Sequence, residues 1–151
     1  MNNFIYDKVL IIGVGLIGSS IARAIKLNKL SLEIYGVDLN PKILKKCKDL
    51  EILNECKEKI EDYKIEFDLI IICSPLSTYK NIFTSLNNFI TNKTLLTDVG
   101  STKVSVIKDF REKCHNKKIN FIPGHPIDGL EKSGPEYGFA ELFENRFCIL
   151  T

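Results

Sequence analysis

Short apolar runs alternate with amphipathic segments along this chain. Residues 8–12, 32–37, 69–73, 94–97, 119–122 and 147–150 are rich in Ile, Val, Leu or Phe. Near-continuous hydrophobicity over so few residues suits strands covered on both faces. Between them, residues 16–28, 41–50, 78–89 and 102–114 carry apolar side chains at helical spacing, with Val104, Ile107 and Phe110 as the example in the last. Pro41 fits the first turn of a helix capped by Asn40, where its missing N–H loses no bond. Residues 54–64 are polar and unpatterned and read as a loop or a short strand. Alternation of strand and helix predicts an α/β fold, a doubly wound, mainly parallel sheet with helices on both faces, because parallel strands need crossover connections.

Composition narrows the class without naming a chemistry. At 151 residues the chain has the length of one domain, enough to bury roughly 70% of its unfolded surface. The apolar fraction of 44%, charged fraction of 26% and net charge of +2 belong to a globular protein and argue against a nucleic-acid or membrane partner. Five cysteines form no CxxC pair, which favours structural thiols over a metal site or disulfide framework. Cys73 and Cys148 stand in apolar runs and are expected to be buried. The N-terminus lacks the pattern of a signal peptide, and no apolar stretch approaches the roughly 20 residues of a membrane span, so a cytoplasmic location is expected. No repeat, low-complexity tract or linker divides the chain.

The first chemical signal is GVGLIG at 13–18, which follows a predicted strand and opens a predicted helix. That context turns a common pattern into a dinucleotide-site reading. Gly13 allows a tight turn, Gly15 lets backbone approach a pyrophosphate, and Gly18 lets helix and strand pack closely. The helix start at Leu16 and Ile17 adds N–H groups and a positive dipole end. Asp38 ends the second strand, 20 residues after Gly18, where a carboxylate can accept hydrogen bonds from an adenosine ribose and repel a 2′-phosphate. NAD is favoured over NADP, with Lys42 the nearest opposing charge; an exposed turn aspartate is the competing reading. The glycine loop has no following Lys-Ser or Lys-Thr, so a triphosphatase is not indicated.

In such sheets ligands sit beyond the carboxyl ends of the strands, and CSPLS (73–77), DVGSTK (98–103) and PGHPIDG (123–129) all fall there. Ser74 and Pro75 join the cofactor-binding set. Removing hydride from an alcohol requires the hydroxyl proton to be held or taken, and His125 can do this near neutral pH. Ser101 could hydrogen-bond the imidazole or the substrate hydroxyl. Competing readings are a turn histidine bonded to backbone for His125 and an N-cap of a helix from residue 102 for Ser101. Lys103 reads as a solvated first-turn residue and His115 as an exposed helix-end histidine.

Taken together, GVGLIG, Asp38, CSPLS, DVGSTK and GHPIDGLEKSG followed by ELFENRFCILT resemble the nucleotide-binding half of the prephenate and arogenate dehydrogenase family of tyrosine biosynthesis. The resemblance spans essentially all 151 residues, and the histidine loop is its most discriminating part. It implies a Rossmann-type dinucleotide-binding domain over 1–151 that binds NAD and no metal. It also implies contact between His125 and the ring hydroxyl, Ser101 positioning that histidine and the nicotinamide, and Glu131 near the substrate pocket. The implied reaction is NAD-dependent oxidative decarboxylation of prephenate to 4-hydroxyphenylpyruvate. Arogenate is the alternative substrate, and a stand-alone NAD-binding or regulatory module, or an unrelated hydroxyacid dehydrogenase domain, the alternative roles. Asp128 and Leu130 depart from the family pattern. The family draws its substrate arginine and dimer contacts from a helical second domain, expected after Thr151; Arg23, Arg111 and Arg146 are not placed at the loop tips. The expectation is a chain that binds NAD, turns over prephenate poorly by itself, and dimerises only with that second domain.

Overall fold

In the computed structural model, which describes residues 4–114, 119–127 and 131–151, the first apolar run forms β1 (Tyr6–Ile12). Its successive side chains point to opposite faces. Val9 and Ile11 pack with Ala22, Ile25 and Cys47, whereas Leu10 and Ile12 pack with Phe83, Leu86 and Val106. Both faces are covered, which is why the run is apolar throughout rather than alternating. Each such side chain stabilises the fold by about 1.5–3 kcal/mol relative to exposure.

The remaining elements are α1 (Leu16–Leu27), β2 (Ser31–Val37), α2 (Pro41–Asp49), β3 (Glu55–Lys57), β4 (Leu69–Ile72), α3 (Tyr79–Leu86), β5 (Leu95–Asp98), α4 (Lys103–Cys114), β6 (Asn120–Ile122), β7 (Gly124–Pro126) and β8 (Cys148–Leu150). The main sheet has the order β3-β2-β1-β4-β5-β6 and is parallel throughout. Residues of α1 and α2 join the core on one face, and residues of α3 and α4 the core on the other. This is the Rossmann-type doubly wound α/β fold expected from the alternation. Strand order reverses between β1 and β4, so the loops after these strands part and open the crevice where such sheets take ligands.

Local chemistry explains the boundaries. Asn40 caps α2 by accepting from the Lys42 N–H at 3.0 Å, with Pro41 in the first turn. The unpatterned 54–64 stretch contains β3 and a 3₁₀ turn at Ile60–Asp62. It is anchored by Tyr63, whose buried hydroxyl donates to the Gly36 carbonyl at 2.8 Å and whose ring meets Tyr35 and Phe67 edge-on. In α4 the buried positions are Val106 and Cys114, with Phe110 packed against them, while Val104 is exposed.

The last apolar run differs from expectation. β8 does not enter the main sheet; it pairs antiparallel with β7, placing Ile149 opposite His125. Phe147, Ile149 and Leu150 are exposed, and so is Cys148, whereas Cys73 is half-buried. Among the described residues no layer covers this ribbon, so its apolar residues do not reach a core. Residues after the ribbon's first strand fold back on α1. Arg23 donates to the Pro135 carbonyl at 3.0 Å, and the Phe139 N–H donates to Ser20 Oγ at 3.1 Å. No described helix is long and apolar enough to cross a membrane.

Candidate functional site

The glycine corner is built by two steric demands. Gly13 follows β1 at φ +89°, a left-handed conformation, and a Cβ there would fall 2.7 Å from the backbone nitrogen of Ser74. A Cβ on Gly18 would fall 2.1 Å from the Gly13 carbonyl oxygen, so the first turn of α1 rests directly on the loop. Gly15 is different: a Cβ there would meet no atom within 4 Å. The corner therefore presents bare backbone at Gly15, at the positive end of α1, and the first turn carries no acidic residue to oppose an anion.

Asp38 braces this corner from β2. Its Oδ2 accepts from the Val14 N–H at 3.0 Å and its Oδ1 from the Asn40 N–H at 2.9 Å. A cavity of about 740 Å³ brings together Gly13, Asp38, Ser74 and Pro75, with Leu39 and Ile60 supplying apolar wall. A second cavity, about 480 Å³, holds Gly15, Leu16 and Ile17 beside Lys42, Lys132 and Ser133. All of the proposed cofactor set except Gly18 is thus divided between two hollows at the corner, a shape that suits an extended two-headed ligand with an anionic middle. Asp38 is more than an exposed turn residue, because it ties the glycine loop to the end of β2.

The residues singled out for chemistry lie beyond β5. His125 sits in β7, half-buried, and not in an open loop; its Nδ1 is 3.4 Å from the Val99 carbonyl oxygen. A carbonyl only accepts, so this contact is a hydrogen bond when Nδ1 carries the proton, which leaves Nε2 as the basic nitrogen. The backbone-bonded reading of His125 is therefore compatible with a role as base. Ser101 is exposed. It does not immediately precede the helix, which starts at Lys103, one residue later than expected; Thr102 lies between and its hydroxyl is 3.0 Å from that of Ser105. Glu131 is exposed and neighbours Lys132 and Ser133 of the second cavity, and no described contact joins it to His125. His115, Asp128 and Leu130 lie outside the described residues.

Lys103 overturns the expectation of a solvated residue. Its side chain is 13% exposed and Asp98 is fully buried at 0%. The ammonium lies 2.7 and 2.6 Å from the two Asp98 oxygens and 2.6 Å from the Gly124 carbonyl. The carboxylate explains the position: Asp98, at the buried end of β5, draws the lysine inward across the first turn of α4. Burial, reinforced by the Asp98 charge, pushes the thiol of Cys73 and the hydroxyl of Tyr79 well above their usual ranges. Cys73 stays protonated and unreactive near neutrality. Among the described residues, no cluster of His, Cys, Asp or Glu could hold a metal ion.

Comparison with known proteins bears on this arrangement. A family model described as prephenate dehydrogenase, nucleotide-binding domain, matches residues 21–151. The cyclohexadienyl dehydrogenase of Zymomonas mobilis is 33% identical over 147 residues, covering 97% of this chain and 50% of the relative. The prephenate dehydrogenase of Bacillus subtilis is 34% identical over 150 residues, covering 99% of this chain and 40% of the relative. A crystal structure of prephenate dehydrogenase from A. aeolicus, in complex with hydroxyphenyl propionate and NAD+, superimposes with a TM-score of 0.88 at 34% identity, over 96% of this chain and 50% of that one. The chain spans half or less of the length of these relatives.

Proposed function

The chain belongs to the prephenate dehydrogenase family through its nucleotide-binding domain, and from that premise we propose that it binds NAD and carries the histidine of an enzyme that oxidatively decarboxylates prephenate to 4-hydroxyphenylpyruvate. The observation that carries this reading is His125, its Nδ1 facing the Val99 carbonyl at the carboxyl edge of the sheet, with Nε2 left to accept a proton. Bound NAD+ would supply the hydride acceptor. The residues present fit it: bare backbone at Gly15 for the pyrophosphate, Asp38 for the adenosine ribose, and the apolar wall at Leu39 and Ile60 for the adenine.

In this reading His125 takes the proton of the ring hydroxyl as hydride leaves the same carbon and returns it to the phenolate oxygen formed on decarboxylation, and Ser101 orients the imidazole and the nicotinamide. Loss of the ring carboxylate as CO2 gives the aromatic product, so the protein's task is orientation and proton transfer. Glu131 would act at the edge of the substrate pocket. Arg23 is committed to Ser19 and Pro135 carbonyls, and in this reading carboxylate recognition and dimer contacts fall to a second, helical half outside residues 1–151. Residues 1–151 by themselves are then a NAD-binding domain with weak turnover.

The test is steady-state formation of NADH or NADPH by the full-length protein with prephenate or arogenate and NAD or NADP. Prephenate with NAD should be the preferred pair by at least about tenfold, and His125→Asn should lower kcat by on the order of 10²–10⁴. Turnover unchanged by His125→Asn, or no turnover of either substrate, would overturn the reading.

A further inference from the structure

The Asp98–Lys103 pair is the most deeply buried of the ion pairs among the described residues; besides a side-chain bond with the Tyr79 hydroxyl, its bonds go to two peptides of particular position. Asp98 Oδ1 accepts from the Gly124 N–H at 3.1 Å, and Gly124 immediately precedes His125. Asp98 Oδ2 accepts from the Gly100 N–H at 2.9 Å, and Gly100 immediately precedes Ser101. Lys103 closes the figure by donating to the Gly124 carbonyl at 2.6 Å. Gly124 is thus held through both its N–H and its C=O. The imidazole's own partner, the Val99 carbonyl, lies between Asp98 and Gly100 in the same loop.

We propose that Asp98 and Lys103 are positioning residues for the reaction assigned above: one buried carboxylate, locked by one buried ammonium, sets the register of His125 against Ser101 and the nicotinamide site. The proposal rests on that reading of His125. A purely stabilising role accounts poorly for the arrangement. Buried ion pairs are often no better for stability than apolar residues of similar volume, and this pair joins two loops that the parallel sheet does not join. Space around it is also tight. A Cβ on Gly100 would stand 2.9 Å from Asp98 Oδ2 and 3.1 Å from the Tyr79 hydroxyl, and a Cβ on Gly124 would stand 3.0 Å from the Asp98 carbonyl. Small residues before Ser101 and before His125 let one carboxylate reach both backbones. Neither Asp98 nor Lys103 lines the cavities around the glycine corner, so the pair acts through His125 and not through the dinucleotide.

The experiment compares Lys103→Met and the charge-balanced double variant Asp98→Asn/Lys103→Met in the full-length protein, with kcat expressed per NAD-binding site from a NAD titration. Misplacement of a reacting group by about 1 Å lowers rate on the order of 10²-fold. The expected result is a fall in kcat per site of at least about tenfold in both variants, with the Kd for NAD within twofold of the parent. A structural role would instead lower the number of NAD-binding sites and leave kcat per site unchanged, and that outcome overturns the proposal. A double variant that fails to fold also overturns it, by assigning the pair to stability. His125→Asn, run in parallel, separates the positioning role of the pair from the role of the histidine. If it abolishes turnover while the Lys103 variants keep theirs, only the positioning role fails; if it leaves turnover intact, the reading of His125 fails first.

Discussion

Replacing Gly15 and Gly18 by alanine, one at a time, should separate nucleotide binding from stability, because the two glycines face opposite surroundings. At Gly18 the new methyl would sit 2.1 Å from the Gly13 carbonyl oxygen, more than 1 Å short of the ordinary contact range of 3.4–4 Å, and the obstacle is backbone that cannot rotate away. Relief requires α1 to lift from the loop, disturbing Ser19, Ser20 and Ala22, all at 0% exposure. Overpacking of this kind destabilises by about 1–3 kcal/mol or more, against which the better helix propensity of alanine returns about 0.5–1. A net loss of about 1–2 kcal/mol in a domain of this length lowers the melting temperature by about 2–8 °C.

Gly15 has φ −80°, open to any residue, and nothing within 4 Å of its Cβ position. Gly15→Ala should therefore melt within about 2 °C of the parent, or slightly above it. The same methyl would hold a pyrophosphate off the helix N-terminus. Losing two hydrogen bonds to a charged group, at about 1.5–3 kcal/mol each, weakens NAD binding about 10²-fold or more. Thermal melts followed by circular dichroism without nucleotide, and calorimetric titration with NAD, read the two effects separately. A Gly15→Ala protein that binds NAD within about threefold of the parent would refute the assignment of the glycine corner. An unchanged melting temperature for Gly18→Ala would refute the steric argument.

Three further outcomes follow from single contacts. Asp38→Ala removes the acceptor for the Val14 and Asn40 N–H groups, and should weaken NAD about tenfold or more while narrowing the preference over NADP, as read by parallel titrations with both nucleotides. Tyr63→Phe deletes the buried bond to the Gly36 carbonyl and should lower unfolding free energy by about 1–2 kcal/mol, measured by urea denaturation. The Tyr35 hydroxyl is pushed up to about 12, by burial first and by its bond to Glu33 second. The folded state therefore keeps a proton that the unfolded chain releases near pH ~10, so this contribution is intact below that pH and is lost between about 10 and 12. Melting temperatures across that interval should fall less steeply in Tyr35→Phe.

What could be read from the sequence follows how far apart in the chain the deciding contacts lie. The β1 run of Val9 to Ile12 announced a strand covered on both faces because each residue's burial is set by pleat geometry alone. Asn40 and Pro41 marked the start of α2 because capping is settled within two residues. GVGLIG could be interpreted for the same reason: Gly18 is obligatory because of Gly13, five positions away, although the demand at Gly13 itself comes from Ser74 after β4. The stretch 54–64 could not be interpreted, because its structure hangs on Tyr63 reaching Gly36 and the rings of Tyr35 and Phe67. Nor could the exposure of Cys148, since an apolar run looks the same whether it enters a sheet or forms an uncovered ribbon.

Lys103 is the instructive failure. A lysine in the first turn of a helix is ordinarily solvated, and no periodicity distinguishes this one. Its burial depends on Asp98, five residues earlier, reaching the backbone of Gly124, 26 residues later. The readable hint was the composition of DVGSTK itself, an acid and a base flanking a glycine at the buried end of an apolar strand, where an unpaired carboxylate would be costly and a partner must be near. The nucleotide half of the site is thus set by glycines whose requirements are steric and mostly local. The half proposed to carry the chemistry is held by polar bonds between loops after successive strands, β5 and β6, and such bonds follow no repeat. A search for an acidic strand end followed five residues later by a lysine at the start of a helix would recover this pair, because here that spacing brings the two side chains together across the strand-to-helix corner.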